Sequence, residues 1–192
     1  AKPWIEDVES QYRERPIFNF HSLVEDSMAI DLPLQDGDKL DIGDSQNLKV
    51  VHTPGHSRGS ISLIYEEDRA LFSGDAIPIP GGIPIYEDVL TSVKSIRKLK
   101  KINDLKILFT SWGEPCHGDS VNTLMDEGLS YFQNIHGVVR KEKENALSLD
   151  PMDVAVPVLK ALEFPETALI PIVVQSIKAH LKIKDYQDIL HV

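Results

Sequence analysis

Cysteine is nearly absent: Cys116 is the one thiol in 192 residues, so no disulfide can form within the chain. A lone thiol suits a reducing compartment, and a cytoplasmic protein is expected. No apolar run approaches the roughly 18 residues of a membrane span. No basic segment leading into a short apolar stretch opens the chain, so no signal peptide is expected. Positive charge is in deficit, with 20 Lys and Arg against 30 Asp and Glu. The resulting net charge of -10 argues against a nucleic-acid backbone as partner, which requires a basic face. Low-complexity tracts, internal repeats and long linkers are missing too. These absences leave a globular chain whose length fits a single domain, 1–192, with a sizeable core. Its partner is expected to be a small molecule rather than a nucleic acid or a membrane.

Periodicity then gives an order of elements. Residues 3–14 read as a helix with Pro3 in its first turn. Residues 28–43 read as short strands around an Asp36-Gly37 turn signal. Three apolar or β-branched runs, 47–53, 60–67 and 69–75, read as strands. Residues 87–104 carry a helical stripe of Val89, Val93, Ile96 and Leu99. Lys94, Arg97, Lys98, Lys100 and Lys101 of that segment read as a solvated face. Residues 105–112 form a buried strand. A long amphipathic helix over 119–145 turns Val121, Leu124, Leu129, Phe132 and Ile135 inward. Asp150 and Pro151 are suited to cap and open a further helix, which Pro157 is expected to kink or shorten. A last helix starts near Pro171. The class is α/β, and the helical C-terminal part, about 146–192, is expected to pack on the sheet as an outer layer.

One stretch carries chemistry. Residues 49–65 read KVVHTPGHSRGSISLIY, with His52 and His56 four apart. On a helix both rings would point one way, but Pro54 and Gly55 lie between them and the flanks are strand-like. The local form is strand, sharp loop, strand, a common mount for a ligand on a rigid scaffold. A loop histidine of this kind either binds a metal or bonds the backbone of its own turn. Asp75, following Gly74 at the end of an apolar run, is the first candidate partner, although Gly-Asp alone is ordinary turn chemistry.

Taken together, DGDKLDIG, LKVVHTPGHSRGSISLIY and ALFSGDAI, in this order and spacing, closely resemble the metallo-β-lactamase superfamily. The resemblance covers roughly residues 30–136, with a looser match at VVQSIKAHLK. It implies an αββα sandwich with a metal site at one edge of the sheets. It also implies a hydrolase in which metal-bound hydroxide attacks an ester, thioester, lactam or related bond. The alternative is a binding or assembly protein with a degenerate site. On the family pattern His56 is a metal ligand, and Asp75 is the bridging carboxylate and the catalytic residue. His52 has a structural role within the loop. The cofactor implied is a divalent metal, zinc first, with iron or manganese as alternatives and one or two ions.

Two features depart from that pattern. The His-x-His-x-Asp-His motif that supplies the family's first ligands occurs nowhere in the 192 residues. The chain opens on Ala1 and is expected to lack the N-terminal part of the fold. Half a sandwich would expose apolar sheet, so a homo-oligomer is a candidate state. Second, in LKILFTSWGEPCHGDS the family's histidine position holds Trp112, which cannot coordinate a metal and is either a core aromatic or a candidate pocket wall. His117, five residues on, is a weak substitute ligand. Cys116, without a basic partner, is expected to be inert. Residues 77–88 border the pocket in the family, which makes Ile83 and Tyr86 further candidate pocket residues. His136 and His180 fall on helix patterns and read as surface or packing positions.

Overall fold

Alternating burial builds the sheet. In the computed structural model, which describes residues 30–146, 148, 150–183 and 188–191, strands β1 (Lys39–Gly43), β2 (Gln46–His52), β3 (Ile61–Tyr65), β4 (Ala70–Gly74), β5 (Ile107–Thr110) and β6 (Cys116–His117) lie side by side in sequence order. β1 to β4 are antiparallel neighbours, β4 and β5 are parallel, and β6 returns antiparallel. The helix expected over residues 3–14 lies outside the described residues. The described residues from Leu34 onward cluster as one unit.

On β3, Ser62 and Ile64 are buried while Ile61, Leu63 and Tyr65 are half-buried, the period of two that a strand imposes. Ile64 pairs with Leu71, and Leu71 with Leu108, so one face of the sheet presents a continuous apolar row. The opposite face carries Leu63, Phe72 and Phe109 in register. Phe72 and Phe109 stack there with ring centroids 4.7 Å apart. The turn into β2 falls at Asp44 and Ser45, both with positive φ. The Asp36-Gly37 turn instead leads into β1.

Helix α1 (Val89–Lys100) crosses between the parallel strands β4 and β5, as parallel pairing requires. Asp88 caps it, accepting from the Thr91 amide. Its stripe of Val89, Val93, Ile96 and Leu99 packs on Val51, Ile64, Leu71 and Leu108. Helix α2 (Ser120–Asn145) adds Val121, Met125, Leu129 and Phe132 to the same core. Its other side, with Tyr131, Ile135 and Val139, meets α3 (Pro151–Ala161) and α4 (Pro171–Leu181) through Val154, Val158, Val173 and Ile177. The C-terminal helices thus form an outer layer. Pro157 neither stops nor shortens α3, which runs through it. Among the described residues, no helix is long and apolar enough to cross a membrane.

Candidate active site at the β2–β3 loop

The loop between β2 and β3 is pinned on three sides. Within it, the buried Thr53 hydroxyl meets that of Ser62 at 2.9 Å, and the Thr53 amide donates to Ser60 O. From α1, Ser95 Oγ donates to Pro54 O at 2.6 Å. From the segment before α1, the amides of Glu87 and Asp88 donate to Gly55 O at 2.8 and 3.1 Å. Gly55 has φ +139°, and a Cβ there would lie 2.2 Å from Ser92 Oγ and 2.6 Å from Ser92 Cα and N. Only glycine lets the loop sit this close to the backbone of α1.

This pinning aims His56. Its Nδ1 lies 2.7 Å from Ile85 O. A carbonyl only accepts, so Nδ1 carries the proton and the lone pair is on Nε2. Nε2 faces Asp75 Oδ2 across 3.9 Å, too far for a hydrogen bond. Asp75 reaches this position because Gly74, in the left-handed region at φ +54°, turns the chain at the end of β4. Its other oxygen, Oδ1, accepts from Trp112 Nε1 at 2.8 Å. Both side chains of the central pair are partly open to solvent, His56 at 30% and Asp75 at 38%.

The donor chemistry fits a divalent metal. A neutral imidazole nitrogen and a carboxylate oxygen suit a borderline ion. The Nδ1–H bond to a carbonyl is the outer contact that metal-binding histidines ordinarily make. Ligands of a tetrahedral zinc lie roughly 3.4 Å apart, so the gap needs to close by roughly 0.5 Å. Among the described residues no group of three or more His, Cys, Asp or Glu gathers at one point. His56 and Asp75 alone would fall short of a complete coordination shell.

The other candidates scatter. His52 is outside the pair, its Nε2 donating to Arg58 O at 3.0 Å. Trp112 sits at the site and is 70% exposed. Ile83 is an exposed apolar side chain, two residues from the carbonyl that holds His56. Tyr86, expected as a pocket residue, is instead core: it is 4% exposed, its ring packs edge-on against Phe132, and its hydroxyl meets His180 Nε2 at 2.6 Å. Its side chain follows α4 inward while the neighbouring carbonyl faces the loop. Burial pushes the Tyr86 phenol well above its usual range. His117, expected as a weak substitute ligand, pairs with Ile107 at the start of β5, whereas Gly74 pairs with Thr110 at its end. That register separates His117 from Asp75 by about 10 Å along the sheet. Cys116 pairs with Leu108 and packs against the core.

His180 and His136 are both buried, with their Nδ1 atoms 3.2 Å apart. Burial, and then the neighbouring His136, push His180 down to about 3. Sequence reading leaves the serines of this region unremarked. Ser92 and Ser95 interrupt the apolar stripe of α1, and Ser176 and His180 interrupt that of α4. A polar residue on an inward helical face is the signal that could have found them.

The family profile described as "Metallo-beta-lactamase superfamily" matches residues 2–112. A "Beta-lactamase-like protein 2 homolog" of Caenorhabditis elegans is 32% identical over 115 residues, 56% of this chain and 36% of the relative. The human "Acyl-coenzyme A thioesterase MBLAC2" is 40% identical over 74 residues, 38% of this chain and 26% of the relative. The chain thus spans well under half the length of either. A metallo-beta-lactamase family protein from Thermus thermophilus shares the fold at a TM-score of 0.64 and 15% identity, over 90% of this chain and 57% of that one.

Proposed function

The chain belongs to the metallo-beta-lactamase superfamily, and on that footing we propose that it carries part of the active site of a metal-dependent hydrolase acting on thioesters. The observation that carries the reading is the His56–Asp75 pair: a proton fixed on His56 Nδ1 by Ile85 O, and a free Nε2 facing a carboxylate oxygen. The thioester class is drawn from a relative, the human protein named an acyl-coenzyme A thioesterase. His56 Nε2 and Asp75 Oδ2 would hold the ion, and further ligands would come from outside the described residues. A bound divalent ion supplies water activation and polarisation of the scissile carbonyl.

The residues of the chain have separate tasks in this scheme. His56, locked by the Ile85 carbonyl, keeps its lone pair on the side of Asp75 without rotating away. Asp75 orients the attacking water, with one carboxylate oxygen held by the Trp112 indole. Trp112 covers one side of the carboxylate and, with Ile83, offers an apolar wall to an acyl chain. The measurement is metal content and turnover of an acyl-coenzyme A, an ester and a lactam by the chain in its full-length protein, beside His56→Ala and Asp75→Ala. Thioester turnover lost in both variants supports the reading. Wild-type protein without metal and without turnover sinks it.

A second reading rests on a separate observation. Trp112 donates its indole proton to Asp75 Oδ1, occupying an oxygen that a second ion would use. This contact suits a protein whose site holds one ion or none and which binds a small molecule without cleaving it. Saturable acyl-coenzyme A binding with no turnover in the metal-loaded protein selects it.

A further inference from the structure

The carbonyl that holds His56 belongs to the peptide unit joining Ile85 to Tyr86, and the far end of that unit is also held. Its N–H, that of Tyr86, donates to Ser176 Oγ at 2.8 Å. Ser176 is fully buried in the inner face of α4. Its hydroxyl proton serves one of two carbonyls, Tyr86 O at 3.0 Å or Ile172 O at 3.2 Å. A peptide unit is planar and rigid, so a bond that fixes its N–H also fixes the direction of its C=O. Donation from the N–H polarises the unit and makes the carbonyl a stronger acceptor. Ser176, in the outer helical layer, is thereby connected through a single amide to the imidazole of the site.

We propose that Ser176 is a positioning residue for His56, acting through the Ile85–Tyr86 peptide to fix the imidazole with its proton on Nδ1 and its lone pair toward Asp75. The neighbouring contact of α4 has a different part. The Tyr86 hydroxyl bonds His180 and anchors the side chain, not the peptide plane. The two bonds leave Tyr86 by different atoms, which makes their effects separable.

This assignment rests on His56 being a metal ligand only for its consequence in metal affinity; its consequence for the tautomer stands without metal. The experiment compares the full chain with Ser176→Ala and Tyr86→Phe. In metal-free protein, long-range proton–nitrogen correlation spectra report which ring nitrogen of His56 carries the proton. Zinc titration reports affinity, and urea unfolding reports stability. Ser176→Ala is expected to weaken the Nδ1–H preference of His56 and to lower zinc affinity, by no more than the roughly tenfold or more that loss of a direct outer partner costs. Tyr86→Phe is expected to lower stability and leave both His56 readouts as in the wild type. If the alanine variant does not fold, Ser176→Cys keeps the side-chain shape, though slightly larger, with a much weaker hydrogen-bonding group and shifts the tautomer in the same direction. An unchanged His56 spectrum in a folded Ser176 variant overturns the assignment. So does an equal effect of Tyr86→Phe. If wild-type protein binds no zinc, the metal reading fails, and the spectra of metal-free protein still decide the role of Ser176.

Discussion

Gly55→Ala is expected to destabilise the domain by about 3 kcal/mol or more, although it adds one methyl group to a loop. The new Cβ would stand 2.2 Å from Ser92 Oγ and 2.6 Å from Ser92 Cα and N, and the residue would keep φ at +139°. The hydroxyl cannot simply swing away, because it donates to Asp88 O at 2.9 Å. The two backbone atoms are part of α1, whose stripe is fully buried on the sheet. Overpacking of this kind costs about 1–3 kcal/mol, and a residue forced into a sparsely allowed backbone conformation about 1–3 kcal/mol more. The assay is urea unfolding, with the midpoint falling at constant m. A companion Ser92→Ala change removes the nearest atom but not the two backbone contacts, so it should recover less than half of the loss. A Gly55→Ala variant within about 1 kcal/mol of wild type, or one fully rescued by Ser92→Ala, refutes the close docking of the loop on α1.

Other expected outcomes concern the core, the charge state and the site. His180 stays neutral in the folded chain down to about 3, whereas the unfolded chain takes up a proton near 6.5. The unfolded state therefore binds more protons between those values, and stability falls as the pH drops through that window by about 1.4 kcal/mol per unit. Urea unfolding at pH 7 and pH 5 should differ by roughly 2 kcal/mol from this residue, and a His180→Gln variant with the same pH slope contradicts that. Trp112→His places a metal donor where the indole now holds Asp75, and zinc affinity is expected to rise. No gain in calorimetric titration means that position is not in reach of the ion. Leu71→Ala, at a fully buried point of β4, is expected to lower stability by about 3 kcal/mol, measured by the same urea assay.

Much of this architecture is legible from pattern alone, for physical reasons. β3 and β4 announce themselves as short apolar or β-branched runs bounded by turn residues. α1 shows its stripe because Val89, Val93, Ile96 and Leu99 recur at helical spacing. The loop is legible because Pro54 and Gly55 forbid helix between the two histidines. β6 is not, since two residues carry no period. Pro157 does not shorten α3, which continues through it. Tyr86 misleads because nearness to Asp75 in sequence says nothing about which way a side chain points: its carbonyl neighbour faces the site and its ring faces α4. His117 misleads for a similar reason, since five residues past Trp112 the chain has turned back along β5. Ser176 and His180 are invisible as partners of the loop, because their spacing shows an inward face without saying what it meets.

His56 and Asp75 are proposed to share a metal ion. Anomalous diffraction at the zinc edge, from crystals of the zinc-loaded protein, tests it most directly. A peak at roughly 2.0–2.2 Å from both His56 Nε2 and an Asp75 carboxylate oxygen, absent from crystals of His56→Ala, is the predicted result. Zinc seated elsewhere, at His117 or His191 for instance, or no ordered zinc at saturating concentration, contradicts it.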